Sequence, residues 1–370
     1  MTVIRRSGLG AAAAAVTLVA AGVALAGTLL FAPAEDYSVG DQPESLVSAD
    51  FDGDGDRDLA VANKNDDDVS ILLGDGAGAF DLDDDYAVGD EPQAIVAGLF
   101  NAGEDVDLAV ANRMDNNVSI LLGRGDGTFR DAENENVGAS PRSIAAADLD
   151  RDGRVDLATA NFNDDDVSIL LGRGQGEFRR VADRKVGDTP RAIATGRFNG
   201  DGRADLAVVN DMDGDVSILL NSGGGSFAGR QDFRVGEAPF SLVVGDFNRD
   251  GRDDFAAANS MDNDVSVRLG LGGGDFGARN DYDVGMNPFY VEEGDFDQDG
   301  RRDLAVSNGD DDTVSILRGK AAGAFDDADD YAVDDFPIGS EVRGLDGADG
   351  PDIAVTDAGS DEVSILLNEP

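Results

Sequence analysis

The sequence contains no cysteine, no histidine and no tryptophan. Without cysteine it cannot form disulfides, thiolate nucleophiles or a lipid anchor attached through a thiol. Without cysteine and histidine it lacks the usual ligands of zinc, and no imidazole is present to act as a general base. Cysteine proteases, zinc enzymes and histidine-dependent hydrolases are therefore excluded as functions.

Lysine is scarce as well, since only Lys64, Lys185 and Lys320 are present, and the 76 acidic residues outnumber the 29 basic ones to give a formal net charge of −47. Such a polyanion repels nucleic acid and anionic lipid and attracts cations, so we expect no nucleic-acid partner. Dense carboxylates with few lysines suit a protein that works at high salt, where ions screen the repulsion. A GC-rich genome produces the same bias, and both interpretations stay open.

The first 34 residues differ from the rest of the chain. Arg5 and Arg6 precede an uncharged stretch that is rich in alanine, valine and leucine and continues to Ala34. This pattern predicts an export signal, with small-x-small cleavage sites that end at Ala26 and at Ala34, and the paired arginines suggest the twin-arginine route. The stretch is also long enough to be an uncleaved membrane anchor, which is the only membrane contact we expect. The protein is thus predicted to be secreted or held at the cell surface.

Residues 35–370 consist of seven copies of a 49-residue repeat. Successive copies of one proline lie 49 residues apart, and so do successive copies of the valine in a Val-Ser pair; no insertion or deletion interrupts either series. The prolines are Pro43, Pro92, Pro141, Pro190, Pro239, Pro288 and Pro337, and the valines are Val69, Val118, Val167, Val216, Val265, Val314 and Val363. A period of this length is typical of propellers and solenoids.

Each copy is predicted to contain four short strands. In the first copy these are Ser45–Asp50, Leu59–Ala62, Val69–Leu73 and Asp85–Val88, separated by clusters of Gly, Asp and Asn. Four strands in a repeat of this length form one blade of a propeller. The predicted fold is therefore all-β: a seven-bladed β-propeller of four-stranded blades.

The two ends of the repeat region indicate how the ring closes. The region opens with a fourth-strand sequence, Asp36–Val39, and closes with a third-strand sequence, Val363–Leu367. We therefore expect the N-terminal strand to join the last blade. The alternative, an open stack of repeats, would leave two hydrophobic faces exposed.

The loop between the first and second strands has the pattern D-x-[DN]-x-D-G-x-x-D in four copies. Oxygen ligands at positions 1, 3, 5 and 9, with glycine for the sharp turn at position 6, favour Ca²⁺. The loop is not an EF-hand, because position 12 is not glutamate and strands flank it. About four Ca²⁺ sites are expected, with the ligands Asp50, Asp52, Asp54, Asp58, Asp148, Asp150, Asp152, Asp156, Asp246, Asn248, Asp250, Asp254, Asp295, Asp297, Asp299 and Asp303.

Three copies of this loop depart from the pattern. In the loops near Asn101 and Asp346 the first ligand is replaced by leucine or glycine, and we expect no tight site there. In the loop near Asn199 the first ligand is Arg197. Its guanidinium is expected to take the place of the ion by pairing with the remaining carboxylates.

The loop, together with Asp58–Asn63 ("DLAVAN") and Val69–Gly74 ("VSILLG"), resembles the FG-GAP/VCBS repeat family, which includes the propeller of integrin α-subunits. The literal FG and GAP pairs are replaced, for example by Gly78–Phe80 ("GAF"), so the chain is more similar to microbial members than to integrins. The resemblance implies calcium in loops of the lower face and ligand binding on the upper face.

The loops that join strands two to three and four to one should share the upper face. They carry apolar and arginine side chains that do not follow the repeat, and such residues within an acidic surface suggest a recognition patch. We expect a glycan, protein or envelope ligand there; for Phe240 and Phe289, packing at the start of strand one is an equal alternative. The candidate ligand face is Met114, Arg142, Phe162, Arg191, Met212, Phe240, Met261, Phe289 and Tyr290.

Three functions remain open from the sequence. The favoured one is an exported calcium-binding module for binding or adhesion. The second is a polysaccharide hydrolase or lyase that uses carboxylates and Tyr290, although no acid/base pair stands out and we do not expect an enzyme. The third is a purely architectural extracellular protein.

Overall fold

The computed structural model describes residues 30–348 and 350–369. The predicted leader therefore lies outside the described residues, apart from its last five positions. No helix within the described part of the chain has the length and apolar character needed to cross a membrane.

The described residues form 32 strands, and the one helical segment among them is a 3₁₀ turn at Ala321–Gly323. The chain begins with β1 (Leu30–Phe31) and β2 (Glu35–Ser38). Blades one to three contain β3 (Pro43–Ala49), β4 (Asp58–Asn63), β5 (Asp68–Gly74), β6 (Phe80–Ala87), β7 (Pro92–Gly98), β8 (Asp107–Asn112), β9 (Asn117–Leu121), β10 (Glu133–Asn136), β11 (Pro141–Ala147), β12 (Asp156–Asn161), β13 (Asp166–Gly172) and β14 (Phe178–Lys185). Blades four and five contain β15 (Pro190–Gly196), β16 (Asp205–Asn210), β17 (Asp215–Gly223), β18 (Ser226–Arg234), β19 (Pro239–Gly245), β20 (Asp254–Asn259), β21 (Asp264–Arg268), the short hairpin β22 (Gly270–Gly272) and β23 (Asp275–Phe276), and β24 (Asn280–Asp283). Blades six and seven contain β25 (Pro288–Gly294), β26 (Asp303–Asn308), β27 (Thr313–Leu317), β28 (Asp329–Ala332), β29 (Pro337–Arg343), β30 (Asp352–Asp357) and β31 (Glu362–Leu366), and β32 (Asn368–Glu369) is the last strand.

Seven of the sheets have four antiparallel strands, which confirms the predicted seven-bladed propeller. Six sheets take their strands in sequence order. The seventh has the order β2-β31-β30-β29, so the N-terminal strand completes the last blade as predicted. The ring is therefore closed by pairing between the first and last strands of the repeat region.

The hydrophobic core lies between the blades. Seven clusters of buried side chains each join two neighbouring blades, and one of them joins the first blade to the seventh through Leu46, Ala354 and Ile365. Strand two is buried on both faces in every blade, which explains its short apolar sequence with a central alanine. Small side chains allow the neighbouring sheets to approach closely.

The folded region begins earlier than the predicted boundary at residue 35. β1 pairs with β32, and the ring of Phe31 lies 5.7 Å from that of Phe296 and 5.0 Å from that of Tyr331. Phe31 stands 49 residues before Phe80 and is the seventh copy of that repeated phenylalanine. Residues 30–34 therefore belong to the propeller, which corrects the boundary.

The fourth strand of blade one is longer than the predicted Asp85–Val88. In blade one it is β6, and a register shift between Ile71 and Leu72 in its partner strand lets the pairing extend back to Phe80. Most side chains of β6 are exposed at the rim of the ring. Polar residues at an exposed edge carry little hydrophobic periodicity, so the sequence understated this strand.

Candidate metal loops and ligand face

The loops between strands one and two are held by their own carboxylates. In blade one, Oδ1 of Asp50 accepts a hydrogen bond from the Gly53 N–H at 2.7 Å, and Oδ1 of Asp52 accepts one from the Asp54 N–H at 3.0 Å. Gly53 and Gly55 both have left-handed backbone conformations, with φ of 81° and 98°. These turns fold the chain back on itself, so the alternate side chains point inward.

Three of the four predicted loops bring carboxylates together. One oxygen from each member of a trio lies within 4.8 Å of the others in Asp50, Asp52 and Asp58; in Asp148, Asp150 and Asp152; and in Asp295, Asp297 and Asp299. In the remaining loop, Oδ1 of Asn248 and Oδ1 of Asp246 both accept a hydrogen bond from the Asp250 N–H, at 2.8 and 3.0 Å. That loop has the same wrapped backbone with an amide oxygen in place of one carboxylate.

The donor set fits a hard divalent cation. Every predicted ligand is an oxygen, and Oδ1 of Asp295 is buried without a hydrogen-bond partner. A buried carboxylate oxygen without a donor is costly unless a cation balances it. Several oxygens in a glycine-turned loop are typical of calcium ligation.

Aspartate at position 9 of the loop has a second function that the sequence did not reveal. In blade one the two oxygens of Asp58 accept the N–H groups of Phe51 at 2.7 Å and Gly74 at 2.9 Å. The same pair of bonds occurs at Asp107, in a loop that lacks the other ligands. All seven copies of the repeat carry this aspartate, including the copies whose loops lack the other ligands, and this pattern could have indicated a structural function. The seven residues are Asp58, Asp107, Asp156, Asp205, Asp254, Asp303 and Asp352.

Burial of this aspartate disfavours its charged form. The pKa values of Asp156, Asp254 and Asp303 are raised to about 6, chiefly by burial and despite the two backbone hydrogen bonds. Through its two backbone hydrogen bonds, the aspartate at position 9 connects the loop to the end of strand three in every blade. This connection does not depend on whether the loop holds an ion.

Arginine at position 7 neutralises part of the loop in blades three to six, whereas blade one has Asp56 at this position. Arg154 pairs with Asp152 at 2.6 Å, Arg252 pairs with Asp250 at 2.9 Å, and an equivalent pair joins Arg301 to Asp299. These pairs were not predicted from the sequence. They leave one oxygen of each position-5 carboxylate to accept a backbone hydrogen bond.

The expectation for Arg197 is wrong. Its side chain is exposed, and its guanidinium forms no ion pair with any residue that the structure describes. The carboxylate of Asp201 pairs instead with Arg203 at 2.6 Å, as the equivalent carboxylates of blades three, five and six pair with their own arginines. Arg203, at position 7 of the same loop, already pairs with the carboxylate of Asp201. Arg197 is therefore not needed to balance that charge.

The upper face, made of the loops that join strands two to three and four to one, contains a cavity at the mouth of the central channel. The cavity is small, with a volume of about 70 Å³, and four residues of the candidate ligand face line it, namely Arg142, Arg191, Phe240 and Tyr290. The first three follow the repeated proline in successive blades. The ring brings these equivalent positions side by side.

Around this mouth, arginine and phenylalanine side chains stack on one another in alternation. Three phenylalanine rings then extend the row. The guanidinium carbon of Arg142 lies 5.0 Å from the ring centre of Phe162, and that of Arg191 lies 5.4 Å from Phe162 and 4.7 Å from Phe240. Phe240, Phe289 and Phe336 then follow with ring centres 4.7 and 5.3 Å apart. We call Arg142, Phe162, Arg191, Phe240, Phe289 and Phe336 the Arg–Phe ladder.

The methionines of the candidate ligand face do not join this ladder. Met212 and Met261 are 76% and 73% exposed and line a separate shallow groove on the same face. Met114 is exposed and lines neither cavity. The predicted face is therefore divided: six of its nine residues lie around the channel mouth, and the three methionines lie apart.

The channel mouth has an excess of positive charge that its neighbours only partly balance. Arg191 pairs with Asp211 at 2.6 Å, whereas Arg142 donates only to the neutral Gln93, also at 2.6 Å, and its Nε is buried without a partner. Burial first, and then the charges of Arg191 and Arg113, lower the pKa of Arg142 to about 10. Arg142 is thus a cationic side chain at the mouth that has no ion-pair partner among the residues that the structure describes.

A second group of titratable side chains lies below the mouth on the strands around the channel. Burial, with the charge of Glu341 next, raises the pKa of Glu292 to about 8. Burial also raises the pKa of Tyr290, two residues earlier on β25. The carboxylate of Glu341 accepts a hydrogen bond from Ser48 at 3.2 Å and lies 3.3 Å from the Nε of Arg343.

Comparison with solved structures shows the propeller fold and nothing finer, since the similar structures are below 25% identity. BBS1N, solved in complex with ARL6DN and soaked with lead, is 15% identical over 92% of this chain and 97% of that chain, with a TM-score of 0.65. A catalytically inactive virginiamycin B lyase from Staphylococcus aureus with quinupristin is 12% identical over 91% and 99% of the two chains, with a TM-score of 0.62. An Agrocybe aegerita lectin specific for non-reducing terminal N-acetylglucosamine is 19% identical over 79% and 81%, with a TM-score of 0.52.

Sequence comparison identifies the family. No curated protein sequence matches the chain. A model of the FG-GAP-like repeat matches four overlapping stretches, residues 100–159, 148–208, 197–257 and 246–306, which together span more than half of the chain. The chain therefore belongs to the FG-GAP-like repeat family.

Proposed function

We propose that this chain is an exported, calcium-binding β-propeller that binds an acidic extracellular ligand at its channel mouth. The observation that carries the proposal is the Arg–Phe ladder, a cationic and aromatic surface on a protein with a net charge of −47. Its two arginines and four phenylalanines contact one another in a row, of which Arg142, Arg191 and Phe240 line the cavity, and they differ in character from the acidic surface elsewhere. Arginine and aromatic side chains are the residues most enriched at binding hot spots.

The chemistry of the ladder favours a ligand with carboxylate or sulfate groups. Arg142 has a buried Nε without a partner, and a planar guanidinium can bind a carboxylate through two parallel hydrogen bonds. The phenylalanine rings offer apolar faces to sugar rings or to aliphatic side chains. An acidic glycan or an acidic protein segment therefore fits best, and the same fold carries a lectin specific for N-acetylglucosamine.

Calcium in the strand one–two loops supports this function from the opposite face of the ring. Each ion would balance carboxylates that repel one another without it. Since the ions bind the folded ring and the unfolded chain offers no formed loop, they add stability by mass action. In this proposal calcium is structural and makes no contact with the ligand.

A ligand array of acidic and neutral glycans and acidic peptides, probed with the calcium-loaded protein, tests the proposal. Arg142→Gln should weaken binding to an acidic ligand by about 10- to 100-fold, because a charge-assisted hydrogen bond contributes about 1.5–3 kcal/mol. Arg179→Gln is the matched control, since it removes the same charge from an exposed position on the outer strand β14. Equal loss in both variants, or binding confined to neutral ligands, would contradict the proposal. If no ligand binds with or without calcium, a purely architectural function is favoured.

A polysaccharide hydrolase or lyase is the second candidate, favoured by the group formed by Tyr290, Glu292 and Glu341. A carboxyl group with a pKa near 8 can donate a proton at neutral pH, as a general acid must. Turnover of acidic polysaccharides that is lost in Glu292→Gln would support this function. Absence of turnover in a protein that binds the same polymers would leave the binding module.

Export is the remaining part of the proposal. The uncharged leader behind Arg5 and Arg6 contains two cleavage sites, but cleavage after Ala34 would remove Phe31 from the propeller. Cleavage after Ala26 leaves the domain intact. The mass of the protein recovered outside a producing cell should therefore correspond to a chain that begins at Gly27, and a chain that begins at Glu35 would contradict this choice.

A further inference from the structure

Six blades share one hydrogen-bond chain at the upper end of strand two. In each of them an asparagine side-chain amide donates to a serine hydroxyl at 2.8 Å, and that hydroxyl donates to an oxygen on strand four. In blade one the chain runs from Asn63 through Ser70 to Asp85. A glycine, Gly40 in blade one, lies against the asparagine, where a Cβ atom would be 2.6 Å from the amide carbon.

The seventh blade replaces the two neutral members of this group by acids. Asp357 stands where the other blades have asparagine, and Asp334 stands where they have glycine. The group also contains Glu362 on β31 and Asp36 on β2, the strand that closes the ring. Blade seven thus places four carboxylates where each of the other blades has at most two.

Three of these carboxylates converge, and the fourth, Asp357, lies beside them on β30. One oxygen from each of Asp36, Asp334 and Glu362 lies within 4.8 Å of the other two. Asp357 pairs in register with Glu362, and it holds the position from which the asparagines of the other blades reach the residue equivalent to Glu362. Its side chain therefore points toward the cluster.

Asp357 has no hydrogen-bond partner at this position. The side chain is fully buried, and neither carboxylate oxygen has a donor. The hydroxyl of Ser364, the serine of this blade, donates to Asp36 at 2.8 Å and so has no hydrogen left for Asp357. A buried carboxylate without a donor, beside three others, lacks the positive group that its burial requires.

No side chain of the described chain supplies that positive group. None of the ion pairs among residues 30–348 and 350–369 involves Asp36, Asp334, Asp357 or Glu362. Burial, together with the charges of Asp334 and Asp36, raises the pKa of Asp357 to about 8, as expected for an uncompensated carboxylate. The described side chains therefore leave room for a cation from solution to balance this charge.

We propose that Asp36, Asp334, Asp357 and Glu362 form a divalent-cation site on the upper face, which fastens the N-terminal strand β2 to the rest of the last blade. Four carboxylates with no nitrogen or sulfur donor favour a hard ion, and Ca²⁺ tolerates the irregular geometry better than Mg²⁺ does. The site lies at the opposite end of the strands from the Asp-rich loops and is independent of them. It also joins the ring at the non-consecutive strand pair that closes it, β2 with β31.

The test is the number of calcium ions bound by the leaderless protein, measured by equilibrium dialysis. The double variant Asp334→Gly and Asp357→Asn restores the residues of the other six blades, so it should fold, and it should bind one ion fewer than the wild type. The control Asp264→Asn and Asp281→Asn removes two carboxylates at equivalent positions of blade five, and its ion count should equal that of the wild type. An unchanged count in the blade-seven variant would overturn the proposal and would mean that Asp357 is held as a neutral acid.

Hydrogen exchange separates this site from the loops. In the wild type, calcium should slow exchange of the β2 amides, and the blade-seven variant should lose most of that protection. Asp295→Ala, which affects a loop of blade six, should leave the protection of β2 intact. Equal protection of β2 in the wild type and the blade-seven variant would overturn the proposal, even if every loop bound its ion.

Discussion

Replacing Phe31 by alanine should destabilise the propeller as strongly as the same change inside the ring, although Phe31 lies within the predicted leader segment. Its side chain is 8% exposed and makes edge-to-face contacts with Phe296 and Tyr331. It fills the site between blades six and seven that Phe178 fills between blades two and three.

The magnitude follows from burial and from the ring contacts. Truncation of a buried phenylalanine to alanine costs about 3–5 kcal/mol. This range is for whole-residue truncation and so already includes the lost edge-to-face aromatic pairs, of which Phe31 makes two, each worth about 0.5–1.5 kcal/mol. We therefore expect Phe31→Ala to lower the free energy of unfolding by about 3–5 kcal/mol, with much of the loss in the seventh blade.

The assay is urea unfolding of the protein that begins at Gly27, followed by circular dichroism. Phe178→Ala is the matched control, because Phe178 is 4% exposed and makes the equivalent contact with Phe100 at 5.6 Å. Met212→Ala is the neutral control, since Met212 is 76% exposed, and it should change stability by no more than about 0.5 kcal/mol. A loss below about 1 kcal/mol for Phe31→Ala beside a full loss for Phe178→Ala would refute the assignment of residues 30–34 to the ring.

Three further outcomes are expected. Asp295→Ala should remove one calcium ion by equilibrium dialysis and lower the melting temperature in calcium but not in chelator; an unchanged ion count would refute its assignment as a ligand. Asp107→Ala, in a loop without the other ligands, should leave the ion count unchanged and still cost about 2–4 kcal/mol in urea unfolding, because two buried N–H groups lose their acceptor. Glu292 has a folded-state pKa of about 8 against an ordinary value of 4.5, so the folded protein holds this proton more tightly and stability falls as the pH rises through that window. Glu292→Gln should therefore match the wild type near pH 5 and exceed it by about 1–3 kcal/mol near pH 9 in thermal or urea unfolding, and identical pH profiles would refute the shift.

The 49-residue period by itself determined much of the architecture. Each blade is one hydrophobic unit that must bury both faces of its sheet, so the period, the number of copies and the phase of the two ends together imply a closed ring. The strand one–two loop was also readable, because its oxygen ligands and its glycines are neighbours along the chain. Asp50, Asp52 and Gly55 need no distant residue to form their turn.

Where a residue's partner lies on another strand or blade, only the tertiary structure showed the contact. Phe31 keeps the repeat period but lies in an apolar stretch that looks like a leader, and only its contact with Phe296 reveals its place. Arg197 occupies a ligand position in the sequence, yet Arg203 is the residue that reaches the carboxylate. The Arg–Phe ladder exists because the ring sets equivalent loops of successive blades side by side, which a linear chain keeps 49 residues apart. The oxygen ligands of each strand one–two loop are close together in the sequence, so their arrangement could be predicted from it. The burial of Phe31, the ion pairs of the loops and the stacking of the Arg–Phe ladder depend on which strands and blades become neighbours when the ring closes.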